Sequence, residues 1–115
     1  MIDKIIPTAK EAVADVFDGA SVMISGFGEA GSPIELIHAL IDKGSKDLTI
    51  ISNNAGSGHV GLAALIENKQ VSKIICSFPR TVISVVFPEL YKNGEIKLEL
   101  LPQGTFADRI KSAVE

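Results

Sequence analysis

The 115-residue sequence predicts an α/β fold, an open and mostly parallel sheet with flanking helices. Three observations carry that expectation. Short apolar runs alternate with segments whose apolar residues recur at helical spacing. Capping signals open several of the helical segments, and loops rich in Gly, Asn and Pro follow the apolar runs. Strict alternation of strands and helices calls for parallel pairing through right-handed crossovers. No repeat, low-complexity tract or linker interrupts the pattern, so residues 1–115 read as a single α/β domain.

Taken in order, Thr8-Ala9-Lys10-Glu11 forms a capping box, and Ala12, Val13, Val16 and Phe17 continue an apolar stripe. A first helix is expected over about 9–17, stopped by Asp18-Gly19. Ser21 to Ser25 is a short, mostly apolar run between Gly19 and Gly26, as expected of a strand covered on both faces. Gly26, Gly28 and Gly31 then remove three side chains from six residues, which lets the backbone turn sharply and approach a ligand. Ser32-Pro33-Ile34-Glu35 supplies a second capping box, with Ser32 as cap and Pro33 at the first helical position. The second helix presents Ile34, Ile37, Leu40 and Ile41 on one face and ends near Lys43, with Gly44 as its C-cap.

Leu48 to Ser52 is the second strand, and Asn53 to Gly58 is a loop made of turn residues. Gly61 to Asn68 suits a third helix and Val71 to Cys76 a third strand, closed by Ser77-Phe78-Pro79-Arg80. Residues 81–87 have the β-branched content of a strand, but their position between two alternating units favours a connector or helix. Pro88 to Lys92 opens a short helix that Asn93-Gly94 ends. Ile96 to Leu101 is the fourth strand, Pro102-Gln103-Gly104 a turn, and Thr105 the cap of a last helix running to the end of the sequence. Four strands ending on a helix leave a parallel sheet with incomplete cover.

Composition narrows the function classes. A chain of 115 residues allows one small domain or a piece of a larger one. With 46% hydrophobic and 22% charged residues it is globular rather than disordered. A net charge of −3 gives no reason to expect nucleic acid or an anionic membrane as partner. One cysteine forms no internal disulfide, and no Cys and His spacing suggests a metal. The N-terminus lacks a continuous apolar segment of the secretory kind, and no apolar run approaches the ~20 residues that span a bilayer, so the chain reads as cytoplasmic.

In a parallel sheet the loops 26–32, 53–58, 77–80 and 102–104 all emerge along one edge, where ligands of open α/β sheets bind. What the sequence places there is Gly, Asn, Gln and Arg: hydrogen-bond suppliers rather than acids and bases. Gly26 to Gly31 formally matches the dinucleotide pattern G-x-G-x-x-G, yet the acid expected near the end of the second strand is missing, since that strand ends Ser52-Asn53-Asn54. Catalytic groups are scarce. Glu29 reads as a solvated loop residue, His38 as exposed, His59 as a capping or solvated residue, and Tyr91 as core. Cys76 would need a base beside it to act as a nucleophile, and His59 is the nearby candidate. Binding groups without a nucleophile suggest that the nucleophile comes from another chain.

Asp18-Gly19, the apolar triplet Val22-Met23-Ile24, Gly26-Phe27, Gly31 and Pro33 resemble the first signature of family I CoA-transferases. Ser25 stands where that signature usually has the first of two paired glycines. Asp47 to Gly56 and Pro102-Gln103-Gly104-Thr105 resemble the family's α subunit in the same order and spacing, and Cys76 to Arg80 resembles the branch acting on 3-oxoadipate. Residues Thr81 to Val86 are more apolar than that family leads one to expect. The resemblance covers this chain but only about the first half of such a subunit.

The resemblance implies transfer of CoA from an acyl-CoA such as succinyl-CoA to a 3-oxo acid, with no cofactor beyond the CoA thioester substrate. It implies a glutamate nucleophile in a Ser-Glu-Asn-Gly motif of a partner β subunit, no catalytic residue in this chain and no metal. Gly26, Phe27, Gly28 and Gly31 would shape the loop facing that glutamate, while Asn53, Asn54 and Gln103 would line the acyl or carboxylate pocket. Two other readings are compatible with such a sheet: a sugar-phosphate isomerase using the glycine loop as a phosphate cradle, and a non-enzymatic α/β interaction module.

Overall fold

Two rows of side chains cross the sheet and divide its faces. The computed structural model describes residues 2–113. Strands β1 (Ser21–Met23), β2 (Leu48–Ile51), β3 (Val71–Cys76) and β4 (Lys97–Leu100) lie in the order β1-β2-β3-β4, every neighbouring pair parallel. Partners in a parallel register share a face. Val22, Ile50, Ile74 and Leu98 therefore form one row, and Met23, Ile51, Ile75 and Glu99 the other. The first row is the core side: Ile50 and Ile74 are fully buried. Helices α2 (Ile34–Lys43), α3 (Leu62–Glu67) and α4 (Val86–Lys92) connect the strands and pack as a layer, α2 on α3 and α3 on α4, with α1 (Ala9–Ala12) against α2. The core is formed by Ile37 and Leu40 of α2, Leu62, Leu65 and Ile66 of α3, and Phe87 of α4, with Leu48 and Cys76 from the strands. The second row is only half covered, by α5 (Gln103–Ser112), whose Phe106 is its buried anchor.

Several elements depart from what the sequence suggests, each for a physical reason. Thr8 caps α1 as expected, accepting from Glu11 N at 3.1 Å, but the helix ends at Ala12 rather than near 17. Beyond it the bonds tighten to Ala14 N to Glu11 O and Val16 N to Val13 O, and the Val16 carbonyl instead accepts from Ser45 Oγ (2.6 Å) and Lys43 Nζ (2.9 Å). The corner after α2 thus draws the chain out of the helix. Strand β1 is not covered on both faces, because it is the sheet edge, with Ser21 and Met23 exposed. Ser32 does not cap α2. Pro33 is the N-cap, its carbonyl accepting from Ile37 N at 3.0 Å, and no side-chain cap is made. Likewise α5 starts at Gln103 rather than after Thr105, because the Pro102 carbonyl accepts from Phe106 N at 2.9 Å. Residues 81–85 form a connector and α4 begins at Val86, with Pro88 in its first turn. Tyr91 is not core but half exposed, stacked on Phe87 with ring centroids 5.6 Å apart. The end of the last predicted helix, 114–115, lies outside the described residues.

Candidate functional site

The loop after β1 is a small hairpin in its own right. Phe27 N donates to Ala30 O at 2.9 Å and Ala30 N to Phe27 O at 3.1 Å, leaving Gly28-Glu29 as a two-residue tip. Gly28 has φ +63°, the positive value that the first tip residue of a II′ turn demands. Ser25 closes the base of the hairpin, its Oγ donating to Gly31 O at 2.9 Å. Phe27 projects into solvent from this loop.

The other three loops meet it or one another. The buried Asn54 turns its own loop, its Oδ1 accepting from Gly56 N at 2.8 Å. Gly56 is forced: its φ is +88°, and a Cβ there would lie 2.5 Å from Ala63 N at the start of α3. Gly61, the α3 N-cap, faces the first hairpin so closely that an added Cβ would lie 3.1 Å from Glu29 Oε2 and 3.0 Å from Ile34 Cδ1. Asn53 O accepts from both Ser77 N (3.2 Å) and Phe78 N (3.0 Å), joining the loop after β2 to the loop after β3. Finally Asn53 Nδ2 donates to Gln103 Oε1 at 2.9 Å, which ties in the loop after β4 across fifty residues of sequence. Starting α5 at Gln103 is what brings that side chain to the edge.

The residues selected from the sequence thus fall into two groups on one edge. Asn53 and Gln103 are hydrogen-bonded together, and Gly26, Phe27, Gly28 and Gly31 form the neighbouring hairpin. Asn54 belongs to neither as a ligand group: its carboxamide oxygen is committed to its own turn. Ser25, Gly56 and Gly61 complete the edge without having been selected; the turn-forming Asn-x-Gly spacing at 54–56 was the legible signal for Gly56, and the other two show no signal without the fold.

Chemically, the edge holds amides and no activated nucleophile among the described residues. Cys76 is fully buried, and burial pushes its thiol up to about 11 despite the opposing backbone hydrogen bond at Phe78. It stays a thiol at neutral pH. His59 is no base for it, being exposed and paired through Nδ1 with Glu67 Oε2 at 2.8 Å. His38 lines a groove between α1 and α2 with Glu35 and Asp42, well separated in the fold from the loop edge. Among the described residues no three His, Cys, Asp or Glu side chains converge to hold a metal.

Comparison with known proteins fits this picture. A family model described as coenzyme A transferase matches residues 6–113. The chain belongs to the coenzyme A transferase family. Among its relatives, the first (α) subunit of 3-oxoadipate CoA-transferase of Acinetobacter baylyi is 56% identical over 98% of this chain and 50% of its own length. The protein of the same name from Pseudomonas putida is 53% identical over 98% of this chain and 49% of its own length. The chain therefore spans about half the length of these relatives. Among solved structures, an acyl-CoA transferase from E. coli O157:H7 matches with a TM-score of 0.69 and 26% identity, over 84% of this chain and 20% of that one. Glutaconate coenzyme A-transferase from Acidaminococcus fermentans matches with a TM-score of 0.69 and 25% identity, over 85% and 32%. No helix among the described residues is long and apolar enough to cross a membrane.

Proposed function

We propose that this chain forms the N-terminal part of the α subunit of a CoA-transferase that moves CoA from an acyl-CoA such as succinyl-CoA to a 3-oxo acid, with 3-oxoadipate the preferred acceptor. The observation that carries the reading is the 56% identity, running through 98% of the chain, to the α subunit of a 3-oxoadipate CoA-transferase. The geometry supports a division of labour. Asn53 and Gln103 supply amide groups at the loop edge, and the hairpin of Gly26 to Gly31 forms one wall beside them. The nucleophile is a glutamate of the β subunit. Its carboxylate attacks the thioester carbonyl and releases the CoA thiolate, leaving an acyl anhydride; the thiolate then attacks the glutamyl carbonyl, releases the donor acid and leaves a glutamyl thioester. The acceptor carboxylate reverses the two steps. Each step gathers negative charge on a carbonyl oxygen, and amide N–H groups fixed beforehand stabilise that charge without reorganising.

The test is reconstitution. This chain alone should transfer no CoA from succinyl-CoA to 3-oxoadipate, while a full-length α subunit containing it should do so once the β subunit is added. Turnover by the isolated chain would show that the nucleophile lies within it.

A further inference from the structure

We infer that Arg80 selects the acceptor: its guanidinium, placed beside Asn53 by the Asn54–Phe78 bridge, binds the non-reacting carboxylate of a dicarboxylic acid acceptor. The inference rests on the transferase reading above and goes beyond it by assigning a specificity residue. In CoA transfer one carboxylate of the acceptor becomes a thioester, while a second carboxylate keeps its charge throughout. Enclosing that charge is unfavourable unless a cation meets it.

The four loops at the edge carry two charged side chains, Glu29 in the first and Arg80 in the third. Arg80 is thus the cation that this edge offers. Its place is fixed from both sides. Phe78 N donates to Asn53 O at 3.0 Å, and the two residues from Phe78 to Arg80 span at most about 7 Å even when extended. Pro79 between them locks one backbone angle and restricts the residue before it, so the approach is stiff. On the far side, Gly58 N donates to Ile83 O at 2.9 Å, which returns the chain to the loop after β2.

Arg80 is exposed and enters none of the ion pairs among the described residues, whereas Arg109, the other arginine of the chain, is held by Glu99 at 2.9 Å. A guanidinium left open in this way can receive a carboxylate through two parallel hydrogen bonds. Phe78 and Ile83 flank it with exposed apolar surface, suited to the methylene carbons between the two carboxylates of such an acid. Amides at Asn53 and Gln103 for one end and a cation at Arg80 for the other match a molecule charged at both ends.

The experiment compares two acceptors in a full-length α subunit carrying this sequence, assembled with the β subunit and supplied with succinyl-CoA. The acceptors are 3-oxoadipate and acetoacetate, which lacks the second carboxylate. Because kcat/KM for the acceptor reports the second half of the transfer, it separates acceptor binding from donor binding. Arg80→Ala should lower kcat/KM for 3-oxoadipate by about 10- to 100-fold, the range for losing a hydrogen-bonded charge partner, and leave acetoacetate within about threefold. Arg80→Lys should fall between, keeping the charge without the two-pronged geometry. Adipate, a dicarboxylate without the oxo group, should inhibit the unmodified enzyme competitively and the Arg80→Ala variant much less. Equal losses for both acceptors, or none for either, overturn the assignment. An unmodified enzyme inactive with both acceptors overturns the transferase reading instead.

Discussion

Ser25 shows how one side chain can replace a backbone requirement. The signature that the chain resembles usually has glycine here, yet Ser25 is not among the residues with positive φ, so the position makes no left-handed demand. Its hydroxyl adds what glycine lacks, a 2.9 Å bond to Gly31 O that joins the two ends of the glycine hairpin. A single neutral hydrogen bond is worth about 1 kcal/mol net, so Ser25→Ala should destabilise the chain by roughly that amount. The loss should be local. Hydrogen exchange at the Phe27 and Ala30 amides, the two that pair across the hairpin, should quicken about fivefold in Ser25→Ala, the factor that about 1 kcal/mol implies. Unchanged exchange at both amides would mean that the Phe27–Ala30 pairing holds the hairpin unaided.

The connection from β2 to α3 turns sharply because the elements on either side leave no room for anything else. Gly56→Ala combines a left-handed φ of +88° with a Cβ 2.5 Å from Ala63 N and 2.9 Å from its Cα, contacts with helix backbone that cannot move cheaply. Strain and overpacking together should cost about 2–4 kcal/mol. Gly58→Ala in the same loop has φ +55° and nothing within 4 Å of the new Cβ, so its cost should stay near about 1 kcal/mol. Urea unfolding of both variants gives the comparison, and equal midpoints would show that α3 shifts away freely. At this scale the sequence reading was most accurate where local chemistry alone decides. Strand β3 was expected over its observed range, Val71–Cys76, and α2 ends at Lys43 with Gly44 left-handed. It missed where a distant partner outweighs the local signal. The Val16 carbonyl is claimed by Ser45 and Lys43, which shortens α1, and the Pro carbonyls at 33 and 102 take the first helical bond ahead of Ser32 and Thr105. The last of these matters for the site, because the pairing of Asn53 with Gln103 depends on it; the sequence selected both residues without being able to show that they touch.

Strand order is a property of the whole molecule, and it explains why β1 looked like a covered strand. An apolar triplet reads the same whether its strand is central or at an edge; only the order β1-β2-β3-β4 makes it an edge. The same order, with right-handed crossovers, sends α2, α3 and α4 to one face and leaves the row Met23, Ile51 and Ile75 to α5 alone. Phe106 fills part of that face, and a groove of about 200 Å³ remains between the strands and α5, lined by those three residues with Leu101 and Ile110. Charged residues guard the opposite edge, where Lys97 and Glu99 stand on β4, but the groove itself has little polar lining beyond Arg109. Exposed apolar surface of this kind drives association. The isolated chain should therefore bind a hydrophobic dye while retaining its secondary structure, and it should sediment as more than a monomer with rising concentration. Ile75→Thr keeps a β-branched side chain in the strand while making the groove floor polar, so it should weaken both dye binding and self-association. If Ile75→Thr changes neither, the apolar face is not what the chain associates through, and the exposed Phe27, Phe78 and Val82 of the loop edge become the surface to substitute next.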